Sequence, residues 1–449
     1  DSWELIDFFN NKINGYILYD NLNANGSNNP ESLSVATSLA GLLMAVPITA
    51  DSEHLALSHN LTIVLDVRGK DEQWLFDNYK NQLNKDMFAL QDLSLPQALR
   101  DWVALNNMLT ISQPTTSSLF NQVADSMNPN AEVYGWSESE LEVYQILNFT
   151  KKGLRLQASN YANNFAILSQ INAIPSQKTS EVVISEGDER YVTFIVGDGD
   201  SPSWLLSYFL SGDARTNPDV PDWYGNILRG EFSMGWSITP KMMELAPTVL
   251  KYIYDNATFK DNFVALSPGG YIYPDKYEDM DFYTEESVRL MQEADLEYLM
   301  SISYLQPNSS NLKTFCDDFH SYDQINGTIL YSTYDLTGWD GEIVSSNNKP
   351  CIGVKYALWA DTGGGNPNFA TSGAELATKV NTLSTGLSNP NSYAIVYVQA
   401  WLRDGLGIVQ EAIDNFDSDT RVITPDRFME LVKENIIDNV YSDFFETSQ

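Results

Sequence analysis

The sequence predicts an α/β protein in two parts: an N-terminal mixed α/β domain over residues 1–185, then a variant (β/α) TIM-like barrel over residues 186–449. Three observations carry that prediction. The 449 residues exceed a typical single domain, and 43% hydrophobic content is ample for large cores. From Tyr191 onward, short apolar runs alternate with helical patterns in a strand, turn, helix rhythm. Most of those runs are apolar on both faces, as parallel strands covered by helices must be.

The expected barrel strands are 191–196, 234–238, 263–266, 298–305, 328–334, 352–359, 394–400 and 421–423. Helical patterns separate most of them, at 204–210, 240–256, 285–297, 376–387, 406–416 and 426–439. Such crossovers point to a (β/α) barrel. Residues 336–350 lack a helical period, so the barrel is expected to be irregular there. In the first part, 16–19 and 61–65 are strand-like, and 34–46 reads as a buried apolar helix. Helical patterns follow at 72–87 and 95–109, and again from Ser137, where Ser137-Glu-Ser-Glu140 resembles a capping box. The polar stretch 175–180 reads as the linker.

A formal net charge of −34 argues against nucleic acid, whose phosphates need clustered Lys and Arg, and against anionic membrane surfaces. The longest apolar stretch, 35–46, falls short of the roughly 18 to 20 residues a membrane span needs. The sequence starts at Asp1 without a Met or a signal-peptide pattern, which fits a processed mature form or a trimmed chain. Two cysteines, Cys316 and Cys351, permit one disulfide without establishing it. Asn-X-Ser/Thr sequons at Asn25, Asn60, Asn148, Asn256, Asn308 and Asn326 fit a secreted chain, although an Asn-rich sequence produces some by chance.

Barrel active sites lie beyond the C-terminal ends of the strands. The first strand ends in Gly197-Asp198-Gly199-Asp200, with Trp204 close behind, and the second ends near Trp236. The third runs into Ser267-Pro-Gly-Gly-Tyr271-Ile-Tyr273-Pro274, whose tyrosines would leave an extended segment on the same side. Tyr304 and Asp335 end the fourth and fifth, with Trp339-Asp340-Gly-Glu342 beyond, and Asp361 and Trp401-Leu-Arg-Asp404 follow the sixth and seventh. Rings and carboxylates together suit a sugar: its C–H faces stack on rings and its hydroxyls bond to acids. Glycoside hydrolysis needs two carboxyls roughly 5 to 10 Å apart. Asp198 and Asp200 are the expected catalytic or sugar-positioning acids, with a partner from Glu342, Asp340 or Asp361. Trp204, Trp236, Tyr271, Tyr273, Tyr304 and Trp339 are the expected stacking surface. The plainer alternative is that the tyrosines cap a core and the acids are ordinary loop acids.

No metal or other cofactor is expected, although the Asp198/Asp200 pair is where carboxylate oxygens could hold Ca²⁺. The three histidines are scattered, and His54 and His59 miss the i, i+4 spacing of a zinc pair. No nucleophile elbow, Walker A loop or dinucleotide fingerprint occurs.

The stretch Ser267-Pro-Gly-Gly-Tyr-Ile-Tyr-Pro274 resembles the signature of the GxGYxYP family, whose members are described as glycoside hydrolases. The resemblance extends to Gly15-Tyr-Ile-Leu-Tyr19, the helix at 34–41, Asp66-Val-Arg68, Tyr134-Gly-Trp136 with Glu140, Asn163-Asn164, Asp198-Gly-Asp200 with Trp204, and Gly235-Trp-Ser-Ile-Thr-Pro240. Pro268 stands where the signature has its first Gly, and Ser201 where Asn is expected. The resemblance implies an N-terminal α/β domain followed by a variant barrel, a carbohydrate partner and secretion. The expected function is therefore that of a secreted glycoside hydrolase with paired carboxylates at the barrel mouth. The alternatives are a non-catalytic extracellular structural or carbohydrate-binding protein of the same fold, and a metal-dependent hydrolase built on Asp198 and Asp200.

Overall fold

Parallel strands dominate both halves of the chain. The computed structural model describes residues 2–20, 30–95, 98–137, 139–180, 187–210, 223–304, 308–333, 335–359, 366–402 and 404–438. The chain divides into two units, Asp1–Gln170 and Ile171–Gln449.

The first unit holds two parallel sheets. In one, β1 (Gly15–Tyr19) lies between β2 (Ala45–Thr49) and β3 (Ile63–Asp66). In the other, β4 (Met87–Leu90), β5 (Leu109–Ile111), β6 (Glu132–Gly135) and β7 (Arg155–Gln157) pair in the order β5-β4-β6-β7. The helix Glu31–Leu43 is buried from Ser32 to Ala40, as its apolar run requires. It stops at Met44, which turns left-handed, so Val46 belongs to β2 and not to the helix. A Cβ at Gly41 would collide with the Ala104 carbonyl, so glycine lets the helix Arg100–Asn106 pack close. The capping box expected at Ser137 does not form, and the helix begins at Glu142. The Glu140 carboxylate instead accepts the Thr115 N–H and hydroxyl at 2.7 and 2.8 Å.

In the second unit the strands are β8 (Arg190–Val196), β9 (Met234–Ile238), β10 (Asp261–Leu266), β11 (Tyr298–Ser303), β12 (Gly327–Ser332), β13 (Ile343–Ser346), β14 (Lys349–Gly353), β15 (Tyr356–Leu358), β16 (Phe369–Ala370), β17 (Tyr393–Val398) and β18 (Thr420–Val422). They form one curled sheet, ordered β13-β14-β12-β11-β10-β9-β8-β17-β15-β16, with β18 also on β8. Every pair is parallel except β13 with β14. The central strands β8 to β12 and β17 are buried along their whole length.

Two features depart from the expected rhythm. The irregular connection contains the antiparallel hairpin β13–β14, turned by Asn347 and Asn348 at φ 49° and 59°. Two successive left-handed residues are the tight-turn geometry that matches strand twist, and Asn tolerates it. The strand expected at 352–359 is in fact two strands that change partner at their junction. Val354 N–H donates to Leu330 of β12 at 3.0 Å, and Lys355 N–H to Ile395 of β17 at 3.0 Å. A helix that the sequence reading omitted, Ser309–His320, connects β11 to β12. A disulfide joins its Cys316 to Cys351 of β14. His320 is buried between the Ser346 carbonyl (3.0 Å) and the Thr328 hydroxyl (2.9 Å), tying the same helix to the hairpin. The stretch 175–180 is held in place: Gln177 N–H donates to Asp295 at 2.8 Å, and Lys178 Nζ to the Asp255 carbonyl at 2.9 Å. Among the described residues, no helix is long and apolar enough to cross a membrane.

Candidate active site

The turn after β8 is clamped by its neighbours. A Cβ at Gly197 would collide with the Tyr397 hydroxyl of β17, and one at Gly199 with the Ser237 carbonyl of β9. Ser237 Oγ donates to the Val196 carbonyl at 2.6 Å and accepts Gly199 N–H at 3.0 Å. Thr239 N–H closes the clamp on the Gly199 carbonyl at 2.7 Å. Between the two glycines Asp198 sits at φ 61°, a left-handed conformation that Asp adopts more cheaply than most residues. Such backbone exceptions gather at functional sites.

Asp200 connects this turn to the aromatic loop after β10. Its Oδ2 accepts the Ser267 hydroxyl at 2.9 Å, and Ser267 is itself buried and left-handed at φ 45°. Gly270, at φ 113°, donates its N–H to the Ser267 carbonyl at 2.9 Å and reverses the chain. Glycine is needed here for that φ. Tyr271 and Tyr273 then meet edge to face at 6.4 Å, and Tyr273 meets Tyr304, beyond β11, at 5.2 Å.

Asp275 lies directly after Pro274, with a side chain only 7% exposed. Its Oδ1 accepts Tyr304 N–H at 2.7 Å and the Ser303 hydroxyl at 3.3 Å. Its Oδ2 is buried with no hydrogen-bond partner among the described residues, and Lys276 Nζ is 3.7 Å away. Burial pushes this carboxyl above its ordinary range, against the lowering effect of the Tyr304 N–H. The sequence reading stopped at Pro274 and passed over it. An acid next to a ring-bearing strand-end loop was the signal available.

Residues 188–433 match the model described as "GxGYxYP putative glycoside hydrolase C-terminal domain". Residues 13–83 and 85–170 match the second and third domains of the N-terminal part of the same family. The chain belongs to the GxGYxYP family. Among solved structures, one described as a putative hydrolase from Bacteroides thetaiotaomicron is 26% identical, with a TM-score of 0.85. The match covers 97% of this chain and 83% of that one. No curated protein matches.

Several residues expected at the mouth of this GxGYxYP chain lie elsewhere. Trp236 is fully buried, with its indole N–H donated to Asp261 at 2.7 Å and its ring packed on Phe209 and Tyr224. Trp204 is buried against Phe209 at 5.0 Å, and Trp339 is buried over Gly353, where a Cβ would strike it. None of these three indoles offers a face to a ligand, because core packing takes it first. Within the signature, Tyr271 and Tyr273 are buried as well, while Tyr304 is half-buried. Asp340 is an exposed acid, paired with Lys355 at 3.3 Å and bonded by Asn368 at 3.2 Å. Glu342 is half-buried, and its backbone carbonyl accepts Gly353 N–H at 2.9 Å. Asp340 is thus tied to the segments around Lys355 and Asn368, and Glu342 to Gly353. Asp361 lies outside the described residues. Among the described residues, no three His, Cys, Asp or Glu side chains gather as a metal site.

Proposed function

We propose that this GxGYxYP protein is a secreted glycoside hydrolase acting where the ends of β8, β10 and β11 meet. The observation that carries the reading is a pair of carboxyls in contrasting surroundings. Asp275 is buried among tyrosines with one bare oxygen, whereas Asp200 is half-buried and hydrogen-bonded by Ser267. Environments that separate two carboxyls in this way assign an acid and a base. Asp275, whose proton burial holds more tightly than an ordinary Asp's, donates it to the leaving glycosidic oxygen. Asp200, oriented by Ser267, is the partner that meets the sugar's developing positive charge or activates water. Asp198 binds a sugar hydroxyl beside them. Glu342, Asp340 and Asp361 are not required in this assignment.

The family description and the hydrolase description of the solved neighbour support a hydrolytic role for this chain. We read the curled sheet as a variant (β/α) barrel. The support is the run from β14 to β15, which bonds β12 on one side of its junction and β17 on the other. Secretion is supported by the Cys316–Cys351 disulfide, a bond that persists in oxidising compartments.

The test is release of reducing sugar from a panel of glycosides and polysaccharides by the wild-type chain and by Asp275→Asn. The variant should lose about 10²- to 10⁴-fold in kcat with its circular dichroism unchanged. Wild-type binding with no release of sugar would instead identify a carbohydrate-binding protein.

A further inference from the structure

Most of the rings expected to hold a sugar are packed into the interior. One indole at a strand end is not: Trp401 is 45% exposed. It follows β17 by three residues and is flanked by the buried Ala400 and Leu402. The segment is anchored on both sides of the ring. Trp223 donates its indole N–H to the Ala400 carbonyl at 2.8 Å, and Leu402 N–H bonds the Gln399 carbonyl at 3.2 Å. Tyr208 meets Trp401 edge to face at 5.7 Å and 73°. A fixed backbone thus presents a large ring to solvent, where it forgoes the burial that drives tryptophan into cores.

The position of this ring matters as much as its exposure. β17 pairs with β8 from Tyr393↔Tyr191 to Val398↔Val196, so Trp401 and the Asp198–Asp200 turn leave adjacent strands at the same end. Tyr208 lies on that same connection from β8, just after the short helix Pro202–Leu206. In the order β17-β8-β9-β10-β11, the acidic turn lies between Trp401 on one side and Asp275 with Tyr304 on the other. Four strand spacings separate β17 from β11, about 19 Å measured along the sheet, which is longer than one sugar ring.

We propose that Trp401 and Tyr208 form a second stacking subsite for a sugar unit remote from the cleaved bond. The preferred substrate is then a glycan chain of several units, in place of a single sugar or a small glycoside. This inference rests on the hydrolase reading of the same mouth for its catalytic arm, but its binding arm stands alone.

The experiment is electrophoresis of the full chain through native gels containing soluble β-glucan, α-glucan, xylan, mannan or galactan. It compares wild type, Trp401→Ala, Trp401→Phe and, as a control, Phe259→Ala, which removes another exposed ring. The wild type should be retarded by at least one polymer. Trp401→Ala should weaken that binding about tenfold, with partial recovery in Trp401→Phe and no change in Phe259→Ala. In hydrolysis assays, Trp401→Ala should lose rate on the polymer and keep it on an aryl monoglycoside. Retardation of Trp401→Ala equal to wild type, or no retardation of wild type by any polymer, overturns the subsite. Trp401-dependent retardation without turnover of any glycoside would sink the hydrolase reading and leave this one standing.

Discussion

Glu72 in the first unit and Asp275 in the second are both carboxyls pushed up by burial, and they differ in what surrounds them. Glu72, in the first unit, is fully buried and raised to about 7, with the nearby Glu31 carboxylate adding to the effect of burial. Its Oε1 accepts Ser112 N–H at 2.8 Å, while Glu31 accepts Glu72's own N–H at 3.1 Å and the Gln113 amide at 3.0 Å. It opens the helix Glu72–Tyr79 inside a network of local polar partners. Asp275 is slightly exposed, lies in the loop after β10, and accepts the Tyr304 N–H beside the paired Tyr273 and Tyr304 rings. A raised carboxyl is therefore no marker of chemistry by itself. Its place in the ring-bearing loop after β10 distinguishes Asp275; a bare oxygen does not, because Glu72 Oε2 is likewise buried without a hydrogen-bond partner among the described residues.

The sharpest way to break this comparison is to remove each acid in turn. Asp275→Asn should abolish most turnover, whereas Glu72→Gln should leave kcat within about twofold, since structural carboxyls also carry shifted values. A pH profile sharpens the point. Because Asp275 is raised, activity should persist above the pH at which an ordinary Asp, near 3.9, loses its proton. The alkaline limb should disappear from whatever residual activity Asp275→Asn retains. A wild-type profile with no limb assignable to Asp275 would remove it as the proton donor.

The next effects concern stability and run in opposite directions in the two units. Glu72 is raised in the folded chain, so its contribution is fully present below about 4.5 and is lost as pH rises through about 7. That is worth about 3 kcal/mol across the window. His320 is lowered by burial to about 4, so its contribution is present above about 6.5 and is lost as pH falls through about 4. The scale is again about 3 kcal/mol. Hydrogen exchange read separately on peptides of each unit between pH 4 and 8 should show the first unit loosening as pH rises and the second as it falls. Glu72→Gln and His320→Gln should each flatten the slope of its own unit alone.

The same contrast explains what was legible beforehand. Seven of the eight expected strands of the second unit form as single strands and the eighth is split into β14 and β15; a strand apolar on both faces is visible in the residues themselves, as in Tyr-Val-Thr-Phe-Ile-Val at 191–196. The hairpin was hidden because its turn, Asn347-Asn348, sits in a polar run that also reads as loop. The fate of the rings was not legible for a different reason. Both Trp236 and Trp401 read as rings near strand ends, yet Trp236 sits in the middle of β9 with Asp261 holding its indole inside, while anchors on either side of Trp401, three residues past β17, hold its ring outside. Those partners are set by the fold and not by the local sequence. Asp275 was open to reading as an acid beside the signature, but its burial was not.

The smallest effect concerns two helix caps. Asp71 accepts Trp74 N–H at 2.7 Å at the start of Glu72–Tyr79, and Ser201 accepts Trp204 N–H at 3.2 Å at the start of Pro202–Leu206. Removing either with Ala should cost about 1 kcal/mol in chemical denaturation, because one helix-end N–H loses its acceptor. Ser201→Asn restores the residue that the family resemblance leads one to expect, and Asn caps as well as Ser. It should change stability by less than about 0.5 kcal/mol. Turnover should separate the two truncations, falling in Ser201→Ala but unchanged in Ser201→Asn and Asp71→Ala. Only the Ser201 cap lies on the connection that carries Asp198 and Asp200. Equal loss of turnover from the Asp71 and Ser201 truncations would mean that the acidic turn is not positioned by its own helix.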